Sequence, residues 1–286
     1  MTTPGLPFAE GLRFSKGHGT ENDFILLPDP DGTLDVTPEL VRALCDRRAG
    51  LGGDGVLRVV RTAAVPGAPA GAEWFMDYRN ADGSLAEMCG NGLRVFARYL
   101  LDQGLAVPGR FAVSTRAGVK EVVVSADSVT VDLGAPVFGP ASEAVLDGTT
   151  YSGVSVSMGN PHLVCPVDVP LDTLDLLRAP GYDPAVFPEG VNVEFVVPAE
   201  DVDGADVHVA MRVHERGVGE TRSCGTGTCA VAAAALAARG LDRGTVVVDV
   251  PGGRVTVTLD GVTCLLTGPA VIVASGVLGA LPALAR

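Results

Sequence analysis

Short valine-rich runs, interrupted at close intervals by Gly, Pro and Asp, dominate the hydrophobic pattern of this chain. Residues 59–62, 119–125, 129–133, 191–197, 246–250 and 255–259 predict β-strands joined by tight turns. Two segments carry helical spacing instead. Leu93, Val95, Phe96, Tyr99 and Leu100 form one apolar face, with Arg94 and Arg98 on another side and Gly104 as a C-terminal stop. The second helix spans about 227–239, is almost all alanine and ends at Gly240. A helix with so little charge is expected to be buried on every side. Residues 65–71 read as an exposed loop, and 134–140 as a connection between domains.

The two helices lie in matching frames. Cys89-Gly90-Asn91-Gly92 precedes the first and Cys224-Gly225-Thr226-Gly227 the second, 135 positions apart. Gly118 and Gly253, each followed by a valine-rich strand, repeat the same offset. Each half reads Cys-Gly-x-Gly, helix, strand, Gly turn, strand. The pattern predicts a duplicated unit, two similar α/β domains with a central helix among strands.

A Cys-Gly-x-Gly turn at a helix start has chemical consequences. The helix N-terminus offers backbone N–H groups and a partial positive charge, and glycine lets backbone approach a bound group closely. A thiol there is expected to move toward thiolate, from about 8.5 into a range of about 3.5–7.5. One such cysteine suggests a nucleophile. Two on duplicated domains suit stereoinversion at an α-carbon, one thiolate taking the proton and the opposite thiol returning one. Charge that develops on the adjacent carboxylate meets the helix N–H donors.

Composition narrows the field. The 286 residues are 47% hydrophobic, enough for two packed domains. A net charge of −13 argues against nucleic acid, which needs a concentrated basic surface. No long apolar window and no secretory leader in residues 1–10 point to a cytoplasmic protein without membrane association. The remaining cysteines, Cys45, Cys165, Cys229 and Cys264, read as buried structural thiols. The spacing of cysteines and histidines suggests neither a disulfide frame nor a metal site. Lys16 and Lys120 are the only lysines, so a pyridoxal Schiff base has little support, and the glycines of 50–55 lack a dinucleotide-binding spacing. No cofactor is expected.

Asn80-Ala81-Asp82-Gly83-Ser84 with Met88-Cys89-Gly90-Asn91-Gly92, and Glu215-Arg216-Gly217-Val218-Gly219-Glu220-Thr221 with Ser223-Cys224-Gly225-Thr226-Gly227-Thr228, resemble the two active-site signatures of diaminopimelate epimerases. Lys16-Gly17-His18-Gly19, Asn22-Asp23-Phe24, Gly159-Asn160-Pro161-His162 and Asn192-Val193-Glu194-Phe195 extend the resemblance in the family's order. It implies an α+β fold of two pseudo-symmetric domains, each a mixed sheet or barrel around a central helix, with the site in the cleft between them. The halves would be 1–134 and 135–273, with a strand at about 274–286 returning to the first. The resemblance further implies interconversion of LL- and meso-diaminopimelate, in lysine and cell-wall precursor synthesis, by a homodimer. Cys89 and Cys224 would be the acid/base thiols, with His162 and Glu215 tuning their protonation. Asn22, Asn80, Asn160 and Asn192 would bind polar groups of the substrate, and Glu215 and Arg216 its distal end. Gly90, Asn91, Gly225 and Thr226 would hold the reacting carboxylate.

Two departures stand out: Glu21 occupies a position that is usually glycine, and the stretch Gly52-Gly53-Asp54-Gly55-Val56 lacks a glutamine many members carry, leaving a contact near Gly55 open. A proline or hydroxyproline racemase shares the fold and the second signature. Cys-Gly-Asn-Gly at the first signature and the charged pair Glu215-Arg216 speak against it, since proline has no distal group to bind. A non-catalytic binder would not need both thiols, and a thiol redox protein would more typically carry CxxC.

Overall fold

The computed structural model describes residues 11–279; the reading of residues 1–10, and residues 280–286 of the expected returning strand, lie outside the described residues. The chain divides into two compact units, one formed by the residues up to Val131 together with those from Pro269, the other by Asp132–Gly268.

In the first unit, β1 (Arg13–Gly19) and β2 (Asn22–Pro28) form a hairpin, followed by α1 (Pro38–Cys45), β3 (Gly55–Arg61), β4 (Trp74–Asn80), α2 (Gly90–Asp102), β5 (Gly109–Thr115), β6 (Gly118–Val124) and β7 (Val129–Asp132). β3 runs parallel to β2 and antiparallel to β4. The last strand of the chain, Val271–Val277, pairs with β1. A helix start legible in the sequence opens α1: the Thr37 hydroxyl accepts from Leu40 N–H at 3.2 Å, with Pro38 in the first turn.

The second unit contains β8 (Val137–Leu146), β9 (Thr149–Ser157), β10 (Pro161–Pro166), β11 (Gly181–Tyr182), β12 (Asn192–Pro198), β13 (Val207–Glu215), β14 (Gly219–Thr221), α3 (Gly225–Ala238), β15 (Gly244–Val250), β16 (Gly253–Leu259) and β17 (Cys264–Gly268). β12 is parallel to β10 and antiparallel to β13. Strand, parallel strand, antiparallel strand and buried helix therefore recur in the same order in both units. Gly55 lies opposite Asn80 in the first. In the second, Val193 faces His214, which sets Asn192 beside Glu215. The 135-residue offset thus extends back from the cysteines to Asn80 and Glu215.

The expected strands and both expected helices form, and α2 and α3 are followed by Gly104 and Gly240 at φ 67° and 73°. Three details differ. Arg94 and Arg98 do not line a solvent face: every residue from Gly90 to Leu100 is buried, because strands surround the helix. Conversely, α3 is not covered throughout, since Ala237 and Ala238 are exposed in its last turn. Most of 134–140 is not a free connection either, because β8 begins at Val137.

Glu21 acquires a physical meaning in the hairpin. Gly19 pairs with Asn22, so the loop is the two residues Thr20 and Glu21, at φ 49° and 62°. Two positive φ values define the turn that matches strand twist and favours Asn-Gly. The left-handed conformation costs a non-glycine residue roughly 1–2 kcal/mol, partly offset by the greater unfolded-state freedom of glycine. Glu21→Gly is accordingly expected to stabilise the protein by about 1 kcal/mol, read as a higher urea midpoint at unchanged slope.

Candidate functional site

Each unit builds one polar constellation around its helix start. Cys89 is the N-cap of α2, in extended conformation at φ −144° and ψ 124°, and its Sγ accepts from Gly92 N–H at 3.4 Å. Cys224 caps α3 in the same way at φ −117° and ψ 113°, with Gly227 N–H 3.4 Å from Sγ. A sulfur thus occupies the position of the usual Ser, Thr or Asp cap. Gly227 allows the close packing of the second helix start, since a Cβ there would fall 2.6 Å from Glu194 Oε1, whereas one on Gly92 would make ordinary contacts at 3.4 and 3.5 Å.

In the first unit, Asn22, Asn91 and Cys89 converge. Asn91 Nδ2 donates to Asn22 Oδ1 at 3.2 Å, and Cys89 Sγ lies 3.7 Å from the same oxygen. Asn22 Nδ2 donates to Asp54 Oδ2 at 2.7 Å, which fixes the amide orientation. Asp54 also accepts from Arg47 at 2.7 Å, while Asp23 pairs with Lys16 at 2.6 Å and with Arg47 at 2.8 Å. Burial pushes the Asp54 carboxyl up, and the Asp23 charge pushes it further. For Asp23, burial acts upward too, but hydrogen bonds and charge from Arg47 and Lys16 outweigh it and hold the group well below the usual carboxylate range. Lys16 is therefore committed to an ion pair.

Asn80 stands at the end of β4 in a turn where Nδ2 donates to Ser84 Oγ at 3.0 Å and Gly83 adopts φ 90°. Gly55, opposite it, must be glycine: a Cβ there would fall 2.5 Å from Arg79 O and 2.7 Å from the Tyr78 ring. Strand packing, with no glutamine side chain in the stretch, shapes this edge of the constellation.

Arg94, on the side of α2 away from its Leu93–Leu100 face, supports this whole arrangement. Arg94 is fully buried, and its guanidinium donates to Asn91 Oδ1 at 2.7 Å, Thr20 Oγ1 at 3.1 Å and Pro269 O at 3.1 Å.

In the second unit, Cys224, Thr226, Asn160 and His162 are linked. Cys224 Sγ lies 3.6 Å from Thr226 Oγ1, which accepts from Asn160 Nδ2 at 3.3 Å. His162 is fully buried, with Nε2 3.2 Å from Asn160 Oδ1 and Nδ1 2.6 Å from Glu194 Oε1. Asn192 Oδ1 accepts from the Arg216 backbone N–H at 2.9 Å, and Asn192 Nδ2 donates to Pro161 O at 3.2 Å. Glu215 accepts from Thr221 Oγ1 at 2.5 Å. The Arg216 side chain is exposed and donates to Glu189 O at 3.0 Å.

The two thiols do not share one environment. Cys89 is half-buried, whereas Cys224 is only 6% exposed. Burial, then the charges of Glu215 and Glu194, push the Cys224 thiol well above its ordinary value, against the opposing hydrogen bonds from Thr226 and Gly227. The expectation that the helix start would lower this thiol is thereby corrected: desolvation and two neighbouring carboxylates outweigh the dipole. Burial likewise pushes the structural thiols Cys45 and Cys165 up to about 12. Glu194 is the residue that sequence reasoning overlooked, although a lone carboxylate in a valine-rich strand was a visible signal.

Among the described residues, no cluster of His, Cys, Asp and Glu is arranged to hold a metal ion, and no helix is long and apolar enough to cross a membrane. The family model described as diaminopimelate epimerase matches residues 14–139 and 154–273. A diaminopimelate epimerase from Rhodococcus opacus (strain B4) is 54% identical over 284 residues, covering 93% of this chain and 96% of the relative. Among solved structures, a phenazine biosynthesis protein of the PhzF family from Bacillus anthracis superposes with a TM-score of 0.70 at 17% identity, covering 93% of this chain and 98% of that one. A hydroxyproline epimerase from Agrobacterium vitis, solved with trans-4-hydroxy-L-proline, gives 0.62 at 17% identity, covering 93% and 91%. At that identity the two structures establish the α+β fold alone; the sequence match goes further. The chain belongs to the diaminopimelate epimerase family, whose members are isomerases.

Proposed function

We propose that this chain interconverts LL- and meso-diaminopimelate, with Cys89 and Cys224 as the two acid/base thiols. The observation that carries the reading is the duplicated helix start: in each unit a cysteine caps the central helix, its sulfur held by the N–H of the third helical residue. One thiolate takes the α-proton, the α-carbon carries the electron pair into its carboxylate, and the other thiol protonates the opposite face. The substrate keeps its hydrogen count, and one proton has moved from one thiol to the other. First-turn N–H groups, at Gly90-Asn91 and Gly225-Thr226, are the donors for the charged carboxylate. Asn22, Asn80, Asn160 and Asn192 line these constellations as substrate-binding groups, and Glu215 and Arg216 serve the distal amino-acid end.

The engagement of Lys16 by Asp23, at 2.6 Å, supports a reaction in which Lys16 forms no Schiff base. Val271, Val273 and Val277 on the chain's last strand are exposed, an apolar surface that suits pairing with a second copy in a cytoplasmic homodimer.

In D₂O without added pyridoxal phosphate or metal, LL-diaminopimelate is expected to gain one α-deuterium as it becomes the meso form, followed by NMR and chiral chromatography. The proline enantiomers under the same conditions should remain unlabelled. Labelled, racemised proline with inert diaminopimelate would reverse the assignment of substrate.

A further inference from the structure

The two helix starts differ in what lies beneath them. In the first unit, the position two residues after Asn22 is Phe24, and two after Gly55 is Leu57, on the parallel strands β2 and β3. Both are fully buried, and both face Gly92, within 3.4 and 3.5 Å of where its Cβ would be. In the second unit, the position two residues after Asn160 is His162, and two after Asn192 is Glu194, on the parallel strands β10 and β12. These too are fully buried, and Glu194 Oε1 lies 2.6 Å from where a Cβ on Gly227 would be. An apolar pair under Cys89 is therefore matched by an ionisable pair under Cys224.

A buried carboxylate is costly unless its oxygens are satisfied. Glu194 Oε1 is 2.6 Å from His162 Nδ1, but Oε2 has no hydrogen-bond partner among the described residues. Phe and Leu fill the equivalent positions in the other unit, so packing alone does not demand this pair. We infer, resting on the two-thiol reading above, that Glu194 is a positioning residue that makes the two helix starts chemically unequal: it holds the His162 ring through Nδ1, so that Nε2–H points at Asn160 Oδ1, and sets a buried acidic group against the turn carrying Cys224.

The first consequence is orientational. With Nδ1 held by Glu194, Nε2–H donates to Asn160 Oδ1, and Asn160 Nδ2 in turn donates to Thr226 Oγ1 and orders the first turn of α3. The second is electrostatic. Burial pushes the Glu194 carboxyl up, with His162 from β10 opposing and Glu215 from β13 adding to the rise, and in its charged form it pushes up Cys165 of β10 and Cys224 at the start of α3. A negative neighbour favours the protonated form of a thiol. Cys224 consequently favours its protonated form, the donor in the direction of the reversible reaction that draws the α-proton to Cys89.

The test is Glu194→Gln, with a second variant carrying Glu194→Leu and His162→Phe together, which reproduces the apolar pair of the first unit. Alkylation of Cys224 by iodoacetamide, followed across pH by peptide mass spectrometry, should show its thiolate forming at lower pH in both variants than in the wild type, with burial and Glu215 still holding part of the rise. For diaminopimelate, kcat should fall by about 10–100-fold with KM within about twofold. An unchanged alkylation profile in both variants overturns the inference, as does unchanged kcat in both. Alkylation reads Cys224 without any turnover, so a wild-type protein inert toward diaminopimelate would overturn the substrate assignment and leave this measurement valid.

Discussion

Cys224→Ala is expected to lose epimerisation by about 10²–10⁴-fold, the span a positioned acid or base contributes, and Cys89→Ala by a similar factor. Circular dichroism and thermal midpoints should change little, because an N-cap thiol exchanges only one weak hydrogen bond for none. The two variants should differ from a generally damaged enzyme in their isotope pattern. With one thiol left, a proton can still be removed from one face of the α-carbon and returned to that same face. Each variant should therefore exchange solvent deuterium into one diaminopimelate isomer without inverting it, and the preferred isomer should switch between variants. Near-wild-type inversion in either variant would sink the two-thiol mechanism.

Much of this was legible in the chain because the responsible physics is local. Glycine turns, valine runs and helix stops locate strands and helices from short-range preference alone, and the repeated Cys-Gly-x-Gly frame exposes the duplication. The hairpin between Gly19 and Asn22 was less legible, because Thr20 and Glu21 lack the residues its two positive φ values favour.

What the sequence concealed depends on neighbours distant in the chain. The effect of a helix start on a thiol is local, so Cys224 was expected to ionise easily; its burial and the proximity of Glu194 and Glu215 arise from strands 30 and 9 positions upstream. Glu194 could have been caught by alternation. Asn192 and Glu194 share one face of β12, and a carboxylate on the inward face of such a strand has to find a partner. Arginines in α2 gave an amphipathic pattern, and amphipathicity implies a solvent face only when nothing else covers the helix. Here strands on all sides do so, which turned two apparent surface charges into buried ones.

Arg94 accordingly carries the largest stability prediction. Its side chain is wholly buried on the first unit's central helix and donates to an amide oxygen, a hydroxyl and a backbone carbonyl, at 2.7, 3.1 and 3.1 Å. Arg94→Met preserves most of the volume but withdraws the donors from all three acceptors together. The Asn91 and Thr20 acceptors are buried and Pro269 is exposed, so two buried acceptors lose their donor at about 1–3 kcal/mol each, relaxation recovers part of that, and a loss of about 3 kcal/mol is expected in urea unfolding. Arg94→Lys should fall between the two, because one ammonium cannot reach three acceptors arranged around a planar fork. The effect should reach substrate binding. Arg94 holds Asn91 Oδ1, which turns Asn91 Nδ2 toward Asn22 Oδ1, which in turn commits Asn22 Nδ2 to Asp54. Releasing the first amide frees both to flip, so the surviving folded protein should show a raised KM for diaminopimelate with a smaller change in kcat. A destabilised variant with unaltered KM would reduce Arg94 to a packing residue and break the chain of orientation from α2 to Asn22.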